Sequence, residues 1–135
     1  MEEDGTVSFW VGQAETRMAF EAAIEAEFSE DGGFVGSEFS RAFGIAYYDD
    51  STREAHFHDS PPTTLPGFIE GASYGDIVIP RFLAKGVLLE PGDNCLVLLY
   101  NYHHVAPVSA CLAGVRLTFK GSISYLKHSG SGAMF

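Results

Sequence analysis

The chain opens with a clean alternation of apolar and polar residues between positions 6 and 11. Successive side chains of a strand point to opposite faces, so Val7, Phe9 and Val11 would share one face and Trp10 would lie on the other. The alternation therefore predicts a half-buried strand near the start of the chain.

Residues 14–28 have the spacing of an amphipathic helix. Phe20, Ile24 and Phe28 recur every four residues, which places them on one stripe of a helical surface. The turn-forming run Ser-Glu-Asp-Gly-Gly at 29–33 then predicts a loop.

A shorter helix is predicted over residues 39–43. Ser37 can cap its free N–H groups, Glu38 complements the positive end of the helix dipole, and Gly44 can end it. Two short alternating runs, 45–48 and 53–58, follow around the polar turn Asp-Asp-Ser-Thr. We expect these runs to form a hairpin.

The middle of the chain is rich in proline and glycine, and its elements are harder to predict. A short helix is expected over residues 65–70 and a longer one over residues 76–85, ended by Gly86. Pro80 interrupts the second pattern because proline lacks an N–H and clashes one turn back. That helix is therefore tolerable only if Pro80 lies near its start.

Two further strands are predicted in the second half of the chain. The unbroken apolar run at 95–102 is typical of a strand buried on both faces and central in its sheet. Residues 115–125 keep a single alternating phase, in which Gly121 falls on the inward side and could mark a bulge.

This order of elements predicts an α+β fold in a single domain. We expect a mainly antiparallel sheet of about five strands with helices packed on one face. The domain would span residues 1–128, and the Ser-Gly-rich residues 129–135 would form a flexible C-terminal tail.

Charge is unevenly spread along this acidic chain. Residues 1–59 carry fourteen acids against three arginines, a net charge of −11, and residues 60–135 carry four acids against five bases, within a total of −10. Nucleic acid is an unfavourable partner for such a protein, because phosphate binding needs clustered Lys and Arg. A partner with a basic surface fits, although acidity also serves solubility alone.

The first residues lack the basic start and apolar run of a secretory signal, and no run of residues is long enough for a membrane helix. We therefore expect a cytoplasmic protein without membrane contact. Cys95 and Cys111 lie in apolar surroundings and are expected to be buried thiols.

Catalytic patterns are weak throughout the sequence. A zinc or manganese site is conceivable around four histidines, but their spacing matches no known ligand set: His56, His58, His103 and His104. Asp49 and Asp50 near Glu54 could act in acid–base chemistry, yet an Asp at a turn more often bonds to its own backbone. We therefore expect no catalytic residues, no metal and no cofactor.

Aromatic residues beside these acids suit either a protein-binding surface or a core. The sequence leaves the choice open for Tyr48 and Tyr102 and favours the core for Tyr100. Trp10 lies on the strand face opposite Phe9, where it could contact a partner.

Several segments together resemble one protein family, that of immunity protein 22 from bacterial polymorphic toxin systems. They occur in the same order as in that family: Phe9-Trp10-Val11-Gly12 followed by an acidic helix, Ser37-Glu38-Phe39, Phe43-Gly44-Ile45, Tyr48-Asp49 with the nearby Glu54, and Leu98-Leu99-Tyr100-Asn101-Tyr102. The resemblance implies an α+β antidote that protects a bacterium from a toxin. Many toxins of these systems are nucleases with basic active sites.

Under this interpretation, acidic residues stand in for nucleic-acid phosphates and pair with Lys or Arg of the toxin. The expected contact residues are Glu38, Asp49, Asp50, Glu54 and Asp59, with ring area from Tyr48 and Trp10. A small metal-assisted hydrolase and a non-catalytic structural module remain alternatives. The oligomeric state and the toxin itself stay open.

Overall fold

The computed structural model describes residues 1–126, and the predicted tail at 129–135 lies outside these residues. Its strands are β1 (Glu2–Ala14), β2 (Glu27–Phe28), β3 (Phe34–Gly36), β4 (Arg53–Phe57), β5 (Cys95–Tyr102), β6 (Ser109–Leu112) and β7 (Val115–Ser124). Its helices are α1 (Arg17–Ile24), α2 (Glu38–Ala42), α3 (Leu65–Phe68) and α4 (Gly75–Lys85). A single turn of 3-10 helix, Asp50–Thr52, leads into β4.

Five strands form one sheet in the order β4-β5-β1-β7-β6, and every neighbouring pair is antiparallel. β1 lies at the centre, paired with β5 on one side and β7 on the other. The two short strands β2 and β3 pair separately. The expected α+β fold with a five-stranded antiparallel sheet is confirmed.

Both faces of this sheet are covered, so the expectation of helices on one face is wrong. Phe9 and Trp10 point to opposite faces of β1, and both are fully buried. Helices α1 and α2 pack on the Trp10 face, whereas α3 and α4 pack on the Phe9 face. β1 is thus buried on both sides rather than half-buried. Its polar Ser8 is tolerated because its hydroxyl donates to the carbonyl oxygen of Tyr102 at 2.7 Å.

Helix α1 is shorter than the pattern at 14–28 predicts. Its start is fixed by Thr16, whose hydroxyl accepts a hydrogen bond from the Ala19 N–H at 3.0 Å. Its end comes at Glu25, where the backbone becomes extended, and Phe28 belongs to β2 instead. For α2 the predicted cap is confirmed, because Ser37 accepts from the Ser40 N–H and Ser40 accepts from the Ser37 N–H.

The predicted hairpin across residues 45–58 does not form. Only its second half becomes a strand, β4, and that strand pairs with β5, from Arg53 opposite Leu99 to Phe57 opposite Cys95. Residues 45–48 instead form no strand, and they add the buried side chains of Ile45 and Tyr48 to the core while Tyr47 stays exposed. Pairing with a long, fully buried strand outcompetes a short local partner.

β7 changes face at a bulge near Gly121, so the expected single phase is wrong and the expected bulge is confirmed. Phe119 lies opposite Trp10, whereas Gly121 lies opposite Phe9. One extra residue between these pairs moves the following side chains to the other face. Gly121 has a φ of 134°, and the stem of Lys85 packs against it.

The predicted helix in the middle of the chain is confirmed as α4, and Gly86 ends it at φ 88°. Pro80 lies inside this 11-residue helix rather than near its start, so the condition placed on Pro80 is wrong. The two thiols differ. Cys95 is buried as expected, and burial raises its pKa to about 12. Cys111 is exposed on the edge strand β6, so the expectation of two buried thiols is wrong for that residue.

Candidate functional site

An acidic cleft of about 390 Å³ lies at the end of the sheet where β1 starts, β5 ends and the 3-10 turn precedes β4. We call it the acidic cleft. Its lining residues are Glu2, Asp4, Tyr48, Asp49, Thr52, Tyr100, Asn101 and Tyr102. Three of these side chains are carboxylates and none is a base.

An irregularity in β1 forms one wall of the acidic cleft. Glu2 pairs with Tyr102, but Val7 already pairs with Tyr100, so residues 3–6 bulge out of the ladder. The side-chain oxygen of Asn101 accepts a hydrogen bond from the Gly5 N–H at 3.0 Å and holds the bulge. The acidic run at the start of β1 thereby reaches the cleft.

Asp49 forms the opposite wall and is held by its own turn. Its carboxylate accepts hydrogen bonds from the Ser51 N–H at 3.0 Å and the Ser51 hydroxyl at 2.7 Å. These bonds lower the pKa of Asp49 below its ordinary value, so the group is charged at neutral pH. Among residues 1–126, no Lys, Arg or His lies within ion-pair distance of Asp49, Glu2 or Asp4.

Two of the other predicted contact acids already hold an arginine of this chain. Asp50 accepts from the Nε of Arg53 at 3.1 Å, and Asp59 accepts from the guanidinium of Arg17 at 2.8 Å. Their charge is compensated locally, which reduces their attraction for an external cation.

The remaining two predicted acids also lie outside the cleft lining. Glu54 accepts hydrogen bonds from the N–H of Ser73 at 3.0 Å and from its hydroxyl. Glu38 is exposed in the first turn of α2. The structure thus brings one of the five predicted acids, Asp49, into the acidic cleft.

The two aromatic residues predicted as contacts belong to the core. Trp10 is 0% exposed and packs edge-on against Phe39 at 4.9 Å between ring centroids, and Tyr48 is 1% exposed. Helices α1 and α2 cover the Trp10 face of the sheet, so the expectation that Trp10 offers ring area to a partner is corrected. Tyr48 borders the acidic cleft but is almost wholly buried, so it offers little ring area there. The indole N–H and the Tyr48 hydroxyl find no hydrogen-bond partner among the described residues.

The four histidines divide between the two ends of the sheet. His56 lies opposite Leu96 near the start of β5, whereas His103 and His104 follow the end of that strand. His104 is 5% exposed and bonds through Nε2 to the carbonyl oxygen of Pro107 at 2.8 Å. Within residues 1–126, no three His, Cys, Asp or Glu side chains are grouped so that they could hold a metal ion.

Sequence reasoning missed Glu2 and Asp4 as site residues. They lie more than forty positions from Asp49 in the chain, and only the β1–β5 pairing brings that end of β1 beside it. The available signal was the acidic run Glu-Glu-Asp directly before an apolar strand.

The family model described as Immunity protein 22 matches residues 7–125. The chain belongs to the Immunity protein 22 family. The resemblance inferred from the sequence is therefore confirmed, and membership supports an immunity role, a toxin as partner and a non-catalytic mode of action. No curated protein and no solved structure gives a significant match. No helix within residues 1–126 has the length and apolar character needed to cross a bilayer.

Proposed function

We propose that this chain is an immunity protein that binds a cognate bacterial toxin in the cytoplasm and neutralises it through the acidic cleft. The observation that carries the proposal is the set of three carboxylates, from Glu2, Asp4 and Asp49, that line one cleft without a compensating base in it. The toxin surface that fits is basic, as is the phosphate-binding site of a nuclease.

Neutralisation would follow from occupation of the toxin's basic groups. A Lys or Arg of the toxin entering the cleft would gain charge-assisted hydrogen bonds from carboxylates that lack a cationic partner of their own. The same charge would speed the encounter of the two proteins. Asp50 and Asp59 would contribute a weaker field, because each is paired with an arginine of this chain. Glu54 bonds to the neutral Ser73 and keeps its charge, but it lies outside the cleft lining.

The proposal is tested by co-expressing this protein with the tagged product of the gene immediately upstream. We expect the two to co-purify, the toxicity of that product to disappear, and the affinity to fall as salt is raised. Absence of both binding and protection would contradict the assignment of this partner and of an antidote role towards it.

A variant with neutralised cleft carboxylates distinguishes the effect of the acidic cleft from that of the acidity of the whole chain. The variant Glu2→Gln/Asp4→Asn/Asp49→Asn removes the three charges and keeps the size of each side chain. The amide oxygen introduced at position 49 can still accept the hydrogen bonds that hold the turn. The control variant removes three exposed carboxylates elsewhere: Glu15→Gln/Glu70→Gln/Glu90→Gln. Protection by the control but not by the cleft variant supports the proposal, and equal protection by both refutes the role of the cleft.

A further inference from the structure

Three tyrosine rings form an aromatic cluster with tilted and edge-on contacts next to the acidic cleft. Tyr74 lies 4.8 Å from Tyr125 and 6.2 Å from Tyr100 between ring centroids, and the last two are 5.2 Å apart. Tyr100 lines the cleft, and the hydroxyl of Tyr125 donates to the side-chain oxygen of Asn101, another lining residue. Tyr74 and Tyr125 do not line the cleft themselves, but they adjoin it through Tyr100 and Asn101.

Tyr74 has a backbone conformation that its side chain disfavours. It has a φ of 60° and a ψ of 30°, in the left-handed region, where a bulky residue is rare. It also occupies the position before α4 without making a side-chain cap, although Asn would tolerate the conformation and supply the cap. Burial does not explain the choice of residue, because Tyr74 is 56% exposed.

The neighbouring residue fixes Tyr74 in place. Ser73 donates its N–H to the Glu54 carboxylate at 3.0 Å, and its carbonyl oxygen accepts from the Tyr100 hydroxyl at 2.5 Å. A strained and exposed aromatic residue that is held on two sides is the pattern expected of a preorganised contact. This arrangement also gives the predicted contact residue Glu54 a role, which is to position Tyr74.

Charge around the rings favours a cation. The Tyr125 N–H donates to the carbonyl oxygen of Gly5 at 2.9 Å, and Gly5 directly follows Asp4, a carboxylate of the cleft. The nearby Arg81 donates to the carbonyl oxygen of Ser124 at 2.7 Å, so it bonds to the backbone rather than to a cleft carboxylate. Ring faces beside uncompensated carboxylates attract a guanidinium from both sides.

The protein already holds one of its own guanidinium groups in this way. Arg17 lies with its guanidinium carbon 5.0 Å from the centroid of the Phe57 ring, and it bonds to the Asp59 carboxylate at 2.8 Å. An aromatic face and a carboxylate together thus bind an arginine side chain within this fold.

We propose that Tyr74, packed against Tyr125 next to the acidic cleft, is the binding contact for an arginine side chain of the toxin. This inference rests on the proposed function and names the partner chemistry that the acidic cleft receives. The guanidinium stacks on the exposed tyrosine face and points its N–H groups at the cleft carboxylates.

The test exploits the conflict between stability and binding at position 74. Tyr74→Asn relieves the strain and adds a helix cap, so we expect a higher melting temperature together with roughly tenfold weaker binding to the upstream gene product. Tyr74→Phe keeps the ring and retains the affinity. Phe28→Ala, which removes a similarly exposed aromatic ring on β2, leaves the affinity unchanged. Unchanged affinity of Tyr74→Asn overturns the inference while leaving the proposed function intact.

A small probe decides the inference even if the upstream product is not the partner. N-acetyl-arginine methylamide is titrated against the full chain while amide chemical shifts are recorded, with the uncharged citrulline analogue as control. We expect shifts concentrated at Asp4, Tyr74 and Asn101 for arginine alone, and their loss in Tyr74→Asn. Equal shifts with citrulline, or shifts that persist in Tyr74→Asn, overturn it.

Discussion

The two ends of the central sheet each carry a polar cleft, but their charges are arranged differently. At one end the acidic cleft is lined by three carboxylates and no base. At the other end a cleft of about 240 Å³ is lined by two acids, Glu90 and Asp93, beside two bases, Arg116 and Lys120. The acids of the second cleft lie beside bases in the same cleft, whereas the carboxylates of the acidic cleft have no base of residues 1–126 beside them.

This difference shows that the position of unpaired acids, rather than the net charge alone, indicates where a basic partner could bind. All three arginines of residues 1–59 are paired with acids of this chain, so they neutralise acids outside the acidic cleft. Three acids of this segment that are unpaired within residues 1–126, Glu2, Asp4 and Asp49, line the acidic cleft together, so a basic group of a partner would meet several carboxylates there at once.

The largest effect is expected at Trp10, which lies midway along β1 and supports both ends equally. Trp10→Ala should lower the free energy of unfolding by about 3–5 kcal/mol, because it opens a cavity among fully buried rings. Urea unfolding of the variant measures the loss. A variant of nearly normal stability that no longer binds the toxin would restore Trp10 as a contact residue.

A smaller effect on toxin affinity is expected to distinguish two aspartates that hold turns at opposite ends of the sheet. Asp49 accepts from Ser51, and Asp93 accepts from the Glu90 N–H at 2.8 Å. Asp49→Ala and Asp93→Ala should lower the melting temperature modestly and by similar amounts, since each removes a turn hydrogen bond. Toxin affinity should fall roughly tenfold for Asp49→Ala only. An equal loss of affinity in both variants would remove the distinction between the two ends.

The smallest effect concerns pH at the acidic end. Burial lowers the pKa of His104 below its ordinary value, so as pH falls the unfolded chain takes up this proton before the folded one does. The melting temperature should therefore drop between about pH 6.5 and the lower folded pKa, and be unaffected by this group above that window. His104→Gln should reduce the drop, and replacement of the exposed, distant His56 by Gln should not. A pH dependence identical in all three proteins would exclude His104 as its source.

The fold was predictable where the local pattern and the tertiary partners agree. Residues 95–102 became β5 because a continuous apolar run suits a strand covered on both faces. The predicted cap of α2 at Ser37 was correct because its hydrogen bonds join residues close in the sequence. The hairpin prediction was wrong because β4 pairs with β5, a strand distant in the sequence. The alternating pattern of β1 also gave no sign that Trp10 and Ser8 are as buried as Phe9.

The site was predictable only in part for the same reason. Asp49 could be chosen because a turn acid is visible in the sequence. Glu2 and Asp4 join it only through strand pairing and a bulge, neither of which local spacing encodes. Tyr74 follows Ser73, whose backbone is held by Glu54 and Tyr100 from distant parts of the chain, and the local sequence does not indicate these contacts.

The central claim is that the acidic cleft, rather than acidity in general, guides the toxin to this protein. The direct measurement is the association rate at several salt concentrations for Glu2→Lys/Asp4→Lys and for the charge-matched Glu15→Lys/Glu90→Lys at the opposite end. We predict a much slower association with a weaker salt dependence for the cleft variant, and a rate near that of the unmodified protein for the other. Equal slowing in both variants would contradict the claim.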